Sequence, residues 1–436
     1  MSLLLLENKR WLRAKEPVRV DPRHVAACNG VHILEFSIGG VNYVLPLEKC
    51  ACSPRNSAIY NGERYCEAEY CPEFLEKIIN CDSIKVKGRV LGQALRVRGS
   101  IAEDATNPHA LVSSESGERF VLKGYRLASR FNPEPAFLEY LSDTGIAPQL
   151  ILSYFVGDQP LGVMTRYIEG GIDPGSVLYN SLISTLGGDC EIPADLLERV
   201  AATVSSFHNR MLECREEWCY PREAGPRDIE KWARRVNTYR QRLRELGWSN
   251  WLTGDFERLV EDGYRGMLGR KIIRTHGDLH FSQMLMQKDR FFLVDFEGEP
   301  GRPPEFQRDL EPAVRDIASM LRGVSYIAFF ALSSSLRLDR EETFNLIVRG
   351  SDPRVRLARE WSREVSERLV EAYRRSVDKR LLPGSSQTDI FRLVVPWFIE
   401  RSLYEAYYEA MYRAENVKVA LATLYNLIPP LIEQIR

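Results

Sequence analysis

The chain has no excess charge of either sign, no long apolar run and no repeat. Its 436 residues carry 59 lysines and arginines against 60 aspartates and glutamates, a formal net charge of −1. So even a balance removes the electrostatic case for nucleic acid or an anionic membrane as the main partner. The leucines at the start, Leu3 to Leu6, meet charge at Glu7, too soon for a secretion signal. The longest later apolar candidate, VSYIAFFALSSSLRL at 324–338, is broken by serines and an arginine. No segment is therefore expected to cross a membrane, and the cytoplasm is the expected compartment. Low-complexity tracts are missing as well. At 44% hydrophobic and 27% charged residues the composition is that of a globular protein, and the length suggests two or three domains.

Cysteine is present without a familiar pattern. Six of the nine lie before residue 82, at Cys28, Cys50, Cys52, Cys66, Cys71 and Cys81. The spacing C-x-C followed by C-x4-C is not a standard zinc arrangement, so buried free thiols are expected rather than a metal site or local disulfides.

Residues 1–88 read as short alternating strands, with a hairpin signal at Gly39-Gly40 inside VHILEFSIGGVNYVLPLE and one short helix in CPEFLEKIIN. A second strand-rich stretch, about 89–168, contains GRVLGQALRV, the hairpin around Glu115 to Glu118, a helix in NPEPAFLEYLSDTG, and the strands LILSYF and LGVMTRYIEG. After Gly170-Gly171 the periodicity becomes helical over 194–212, 227–246, 306–333, 356–376 and 388–412. The plan is a β-rich lobe followed by a helical lobe.

Set among those helices is THGDLHFSQMLMQKDRFFLVDFEGEP, residues 275–300. Asp278 lies five residues before Gln283, and Asp295 follows the strand RFFLV. A hairpin of that length brings Gln283 and Asp295 together at one end. A carboxylate able to accept a hydroxyl proton, with an amide oxygen and a second carboxylate converging on Mg²⁺, is what phosphoryl transfer requires. The kinase pattern H-x-D-x-x-x-x-N followed by D-F-G reads here as His276-Gly277-Asp278 to Gln283, then Asp295-Phe296-Glu297. Gln in place of Asn keeps the amide oxygen and adds a methylene.

The chain resembles the maltokinases, aminoglycoside-phosphotransferase-like kinases with an N-terminal cap. The resemblance rests on HGDLHFSQMLMQKDRFFLVDFEGEPGRP, on PAVRDIASMLRGVSY and ERSLYEAYYEA after it, and on ENKRWLRAKEPV and VNYVLPL near the start. It implies an α+β, bilobal eukaryotic-protein-kinase-like fold: a cap at 1–88, an N-lobe at 89–168 and a helical C-lobe at 169–436. It implies ATP and Mg²⁺ as cofactors, with Asp278 as general base, Gln283 and Asp295 as metal ligands, and Lys123 on the ATP phosphates. Thr106 and Asn107, in EDATNPHAL, stand where the family covers the phosphates, although no glycine-rich signature is present. Main-chain groups of Arg166 and Ile168 are the candidates for adenine. The family's lysine-pairing glutamate would fall at Ala136, which leaves Glu134 or Glu139 to pair with Lys123.

On the last long helix Arg401, Tyr404, Glu405 and Tyr408 fall at i, i+3, i+4 and i+7 on one stripe. Together with His280 and Glu297 they are the candidates for holding a sugar, which needs hydrogen bonds and a stacking surface; His280 could equally serve to order its loop. His208 and His276 are read as structural, and Asp316 and Arg322 as lobe-stabilising partners. Maltose, phosphorylated at its anomeric hydroxyl for α-glucan synthesis, is the substrate the resemblance implies, with a trehalose/maltose-interconverting enzyme as a partner. A glucosamine kinase is the rival within the class, and a catalytically silent binding protein the rival outside it.

Overall fold

The structure is a computed structural model describing residues 3–7, 9, 11–12, 16–89, 94–102, 106–129, 131–189, 191–248, 256–299, 302, 306–382 and 386–426. The chain divides into two compact units, Met1–Glu169 and Gly170–Arg436.

The first unit holds two antiparallel sheets. One is built from β1 (Leu4–Leu6), β2 (Val18–Val20), β3 (Arg23–Cys28), β4 (Val31–Ile38), β5 (Val41–Glu48), β6 (Ser57–Tyr60) and β7 (Glu63–Glu67), ordered β2-β1-β6-β7-β5-β4-β3. After a short helix, α1 (Phe74–Ile79), come β8 (Lys85–Gly88), β9 (Leu95–Ser100), β10 (His109–Ser114) and β11 (Arg119–Gly124). Helix α2 (Glu134–Leu141) then leads to β12 (Leu150–Val156) and β13 (Gln159–Arg166). The second sheet runs β8-β12-β13-β11-β10-β9. Alternation decides the faces: Val31 and Ile33 of β4 join a core with Phe120 and Leu122 of β11, while Leu34 and Phe36 pack with Trp11 and Tyr43 on the other side. One core thus spans both sheets. The boundary expected at residue 88 falls within it, at the end of a strand that pairs with β12.

Arg126 ties the sheets together. Buried, it donates to Glu67 Oε2 at 2.7 Å and to Glu69 Oε1 at 2.7 Å, and Lys9 Nζ reaches Glu67 Oε1 at 2.7 Å. Burial opposes ionisation of Glu67, but Arg126 and Lys9 outweigh it and hold the carboxyl below its usual range. The same segment pairs by backbone with β5, Val44 N–H donating to Arg126 O at 2.9 Å. Glu69 comes so close that a Cβ on Gly124 would lie 2.3 Å from its Oε1, so only glycine fits there.

The thiol expectation is corrected. All six early cysteines pair, as Cys28–Cys81, Cys50–Cys71 and Cys52–Cys66, and in the second unit Cys214 pairs with Cys219. Strand turns bring residues 14 to 53 positions apart to Cα separations of 5.6–6.0 Å, a range a disulfide bridges.

The second unit is helical: α3 (Pro174–Gly187), α4 (Ala194–Leu212), then the short strand β14 (Arg222–Glu223), α5 (Pro226–Glu245), α6 (Phe256–Arg265) and β15 (Lys271–Ile272). The hairpin β16 (Met284–Gln287) and β17 (Arg290–Leu293) precedes α7 (Val314–Leu336), α8 (Arg340–Arg349), α9 (Pro353–Ser376), α10 (Gln387–Tyr412) and α11 (Val417–Asn426). Side-chain caps start several of them: Asp173, Asp339, Asp352 and Ser386 each accept a first-turn N–H. The helix expected from 306 begins only at Val314, because Glu311 is bridged by backbone to Ile273. Contrary to expectation, α7 is long and apolar enough by length and composition to cross a membrane. Most of it is buried inside the unit, and it carries the buried charges Arg315, Asp316 and Arg322.

The pairing has a direct readout. With four disulfides among nine cysteines, thiol titration of the denatured, unreduced protein should count one thiol, rising to nine after reduction. Seven or more thiols before reduction would restore the free-thiol reading.

Candidate functional site

In the first unit Lys123 is on a central strand, on the face opposite Phe120 and Leu122. It meets Glu134 at the start of α2: Lys123 Nζ lies 2.8 Å from Glu134 Oε2, and the Tyr125 hydroxyl donates to the same oxygen at 2.8 Å. Both side chains are buried, whereas Glu139 is exposed one turn on. Of the two glutamates left open by the sequence, the structure brings Glu134 to the lysine. Asn107 is held by protein contacts, its Oδ1 accepting from Arg126 N–H beyond β11 at 3.1 Å and its carbonyl lying 2.9 Å from His109 Nδ1. Thr106 beside it is exposed; residues 103–105 lie outside the described residues. Arg166 is less suited to adenine than expected. Its N–H donates to Gln149 O at 2.9 Å and its side chain pairs with Glu118 at 3.0 Å. Ile168 N–H makes no backbone hydrogen bond among the described residues.

In the second unit the segment 276–278 is gripped from three sides. Asp316 accepts from the N–H groups of His276 (2.8 Å) and Gly277 (3.0 Å), and its carboxylate meets His208 Nε2 at 3.1 Å. His208 Nδ1 lies 2.8 Å from the Tyr373 hydroxyl. Burial works against the Asp316 anion, yet the His208 hydrogen bond and the nearby donors prevail and hold its carboxyl below the usual range. Arg315 Nη1 donates to Gly277 O at 3.0 Å. Gly277 itself has φ +89°, a conformation glycine adopts without strain. The third grip is His276 Nε2, which donates to Val294 O at 3.0 Å and binds this loop to the strand before Asp295.

Asp278 emerges half-buried, with Oδ1 accepting from Arg401 Nη2 at 2.6 Å. Oδ2 has no partner among the described residues. Arg401 also pairs with Glu299, which in turn pairs with Arg315. The series continues through Glu311 and Glu400 to Arg302 and Arg235. Four guanidinium groups and four carboxylates, Asp278 included, share this network.

The hairpin turns at Lys288-Asp289 and brings Gln283 and Asp295 into contact, Gln283 Nε2 donating to Asp295 Oδ2 at 2.9 Å. The same nitrogen is 3.3 Å from His280 Nε2. Facing an amide N–H, this ring nitrogen accepts, and burial pushes the imidazole below its ordinary value. Gln283 Oε1 accepts no hydrogen bond among the described residues. Asp295 has φ +65°, in the left-handed region that aspartate visits at some cost, and such strain gathers at functional turns. An amide oxygen and a carboxylate are hard donors of the kind Mg²⁺ takes. Glu297 is half-buried just after this turn.

The stripe on α10 needs correction. Arg401 is fully buried and serves Asp278 and Glu299 rather than a sugar. Tyr404 is buried too, against Tyr239 (centroids 5.7 Å) and under the Arg401 guanidinium (5.0 Å), so it presents no platform. Glu405 and Tyr408 are half-exposed. Arg322, expected to stabilise the lobe, pairs from α7 with Glu405 of α10 at 3.6 Å. Glu299 and Arg315 were missed as site residues; Glu299 inside DFEGE was the available signal, as a third carboxylate after Asp295 and Glu297.

No family model matches the chain. It is 24% identical over 257 residues to a glucosamine kinase of Mycolicibacterium smegmatis, an alignment covering 55% of this chain and 61% of that one. The chain thus spans less than two thirds of the length of this curated relative. A solved glucosamine kinase superposes with TM-score 0.65 at 18% identity, covering 94% of both chains. A second, in complex with glucosamine, ADP and inorganic phosphate, gives TM-score 0.61 at 17% identity over 93% of both. The fold is therefore that of the protein-kinase-like phosphotransferases. The relatives named are glucosamine kinases, and the finer resemblance to maltokinases has no counterpart among them.

One turn past Glu405, burial pushes the Glu409 carboxyl up to about 7, with Glu405 adding to the rise against Arg413 and Asn416. Between its ordinary value of 4.5 and about 7 the folded state holds a proton the unfolded chain has released. Stability should therefore fall as pH rises through that window, then level off. Glu409→Gln should match the parent near pH 4.5 and exceed it at about pH 8 in urea unfolding. A difference between the two that does not change with pH would exclude Glu409 as the titrating group.

Proposed function

We propose that the protein is an ATP-dependent sugar kinase whose acceptor is an amino sugar, with glucosamine the best-supported substrate. The observation that carries this reading is the Asp278 carboxylate, fixed through Oδ1 by Arg401 and open at Oδ2, beside a loop on which Gln283 and Asp295 converge. Oδ2 takes the proton of the acceptor hydroxyl as that oxygen forms its bond to the γ-phosphorus and the bond to ADP breaks. Arg401 is a positioning residue, since it touches the base and not the sugar. Gln283 Oε1 and the Asp295 carboxylate would hold Mg²⁺, which when bound neutralises charge on the transferring phosphoryl group. Lys123, restrained by Glu134, is assigned to the nucleotide phosphates, and Ile168 to adenine.

Two considerations favour glucosamine over maltose. The aromatic platform that a neutral disaccharide would use is weakened by the burial of Tyr404. A cationic ring needs a carboxylate, and around His280 the three carboxylates Asp278, Asp295 and Glu405 act against one guanidinium, Arg322, which Glu405 faces at 3.6 Å. Without maltose, the case for a trehalose/maltose-interconverting partner also lapses.

ADP release with glucosamine, glucose and maltose tests the reading. kcat/KM for glucosamine should exceed the others by at least about tenfold, one charge contact being worth about 1.4 kcal/mol or more. Asp278→Asn should lower kcat by about 10²–10⁴ with little change in ATP affinity. A preference for maltose would reinstate that substrate, and no turnover on any sugar would leave a binding protein. The lysine partner is tested separately. Glu134→Gln should raise KM for ATP or lower kcat as Lys123→Met does, while Glu139→Gln is silent. Equal effects of the two glutamate variants would break the assignment of Glu134.

A further inference from the structure

The helical unit holds a second concavity, none of whose walls comes from residues 276–299. It has a volume of about 540 Å³ and lies along α5, lined by Arg227, Lys231, Arg234, Arg235, Arg242 and Tyr239, with Phe306 at one side. That volume suits a small ligand. The cations follow helical spacing on one stripe, and Glu230 is the one acid among the lining residues.

The bland alternative is a solvated basic helix face, and α9 shows what such a face looks like in this protein. There Arg363 and Arg368 are each answered by a glutamate four residues away, at 3.0 and 2.6 Å. On α5 the pattern differs. Arg227 and Arg234 are exposed and have no ion pair among the described residues. Among the described residues the Arg242 side chain reaches only the Tyr407 hydroxyl, at 3.4 Å, and its ring face. Deeper in the wall, Arg235 and Tyr239 are almost wholly buried. Arg235 Nη2 and the Tyr239 hydroxyl have no hydrogen-bond partner among the described residues. Lys231 is answered by Asp309, and Arg235 by Glu311 and Glu400, but Arg227, Arg234 and Arg242 meet no carboxylate among the described residues. Three such guanidinium groups beside a buried hydroxyl without a partner are the chemistry that recognises phosphate.

We propose that this cavity is a binding site for a phosphorylated small molecule. Its phosphoryl group sits between Arg227 and Arg234, two turns apart on α5, and the rest of the molecule lies against Phe306 and Tyr239 toward Arg242. The site is separate from the one assigned to the transferred phosphate. It is connected to it, because Arg235 also ends the ion-pair series through Glu311, Glu400, Arg315, Glu299 and Arg401 that reaches Asp278.

Calorimetric titration of the full chain, without nucleotide or sugar acceptor, tests this with inorganic phosphate, pyrophosphate and glucose 6-phosphate. At least one probe should bind one-to-one with Kd below about 1 mM at about 0.15 M salt. The double variant Arg227→Glu/Arg234→Glu, at exposed positions, should weaken binding at least about tenfold while melting like the parent in the absence of ligand. Lys123→Met should leave it unchanged. Tighter binding of glucose 6-phosphate would identify a sugar ester, and tighter binding of pyrophosphate a polyphosphate. No saturation by about 10 mM of any probe would overturn the proposal, as would binding lost in Lys123→Met but kept in the double variant. None of these outcomes depends on turnover, so the kinase reading stands or falls separately.

Discussion

Arg401 holds Asp278 from behind, and most of the helical unit is arranged so that it can. A guanidinium with no exposure must be matched by carboxylates, and Arg401 is matched by Asp278 and Glu299. Glu299 then requires Arg315, which requires Glu311 and Glu400, and these engage Arg235 and Arg302. Removing one member of such a set leaves a buried charge unanswered, at a cost of about 3–5 kcal/mol. An apolar cluster of the same size would be as stable or more so. What the ions supply is direction. Asp316 adds a second restraint through His208 and Tyr373, so that α4, α5, α7, α9 and α10 are all tied by charge or hydrogen bonds to one tripeptide or its carboxylate.

Much of the site was legible because short-range geometry determines it. A two-residue turn between MLMQ and RFFL forces Gln283 and Asp295 to the same end of a hairpin, and they meet at 2.9 Å. Lys123 was placed by the family resemblance, whereas the two faces of β4 follow from its alternation. Pro135 and the helix after it put Glu134 in the first turn, where it meets the strand lysine.

What was not legible depends on contacts far apart in sequence. The spacing of Arg401, Tyr404, Glu405 and Tyr408 correctly puts them on one stripe, but spacing does not say which way a stripe faces. Helix α10 is packed by α5, α6, α7 and α11, and a helix covered on most sides has no polar face to orient the reading. Cysteine pairing is illegible for a related reason, since Cys28 and Cys81 are joined only once two sheets have closed over them. Disulfides in such number are uncommon in chains kept in a reduced cytosol, intracellular proteins of hyperthermophiles being the exception.

The Arg126 junction bears on how the chain can be cut and recombined. Glu67 and Glu69 come from the first sheet, Arg126 from the segment after the lysine strand, and Lys9 from the start of the chain. A truncation or chimera joined near residue 88 would separate two carboxylates from their cation and expose half of a shared core to water. Exchange of modules between relatives would have to carry residues 1–169 as one piece, and nothing smaller, to keep the strand that bears Lys123 in place.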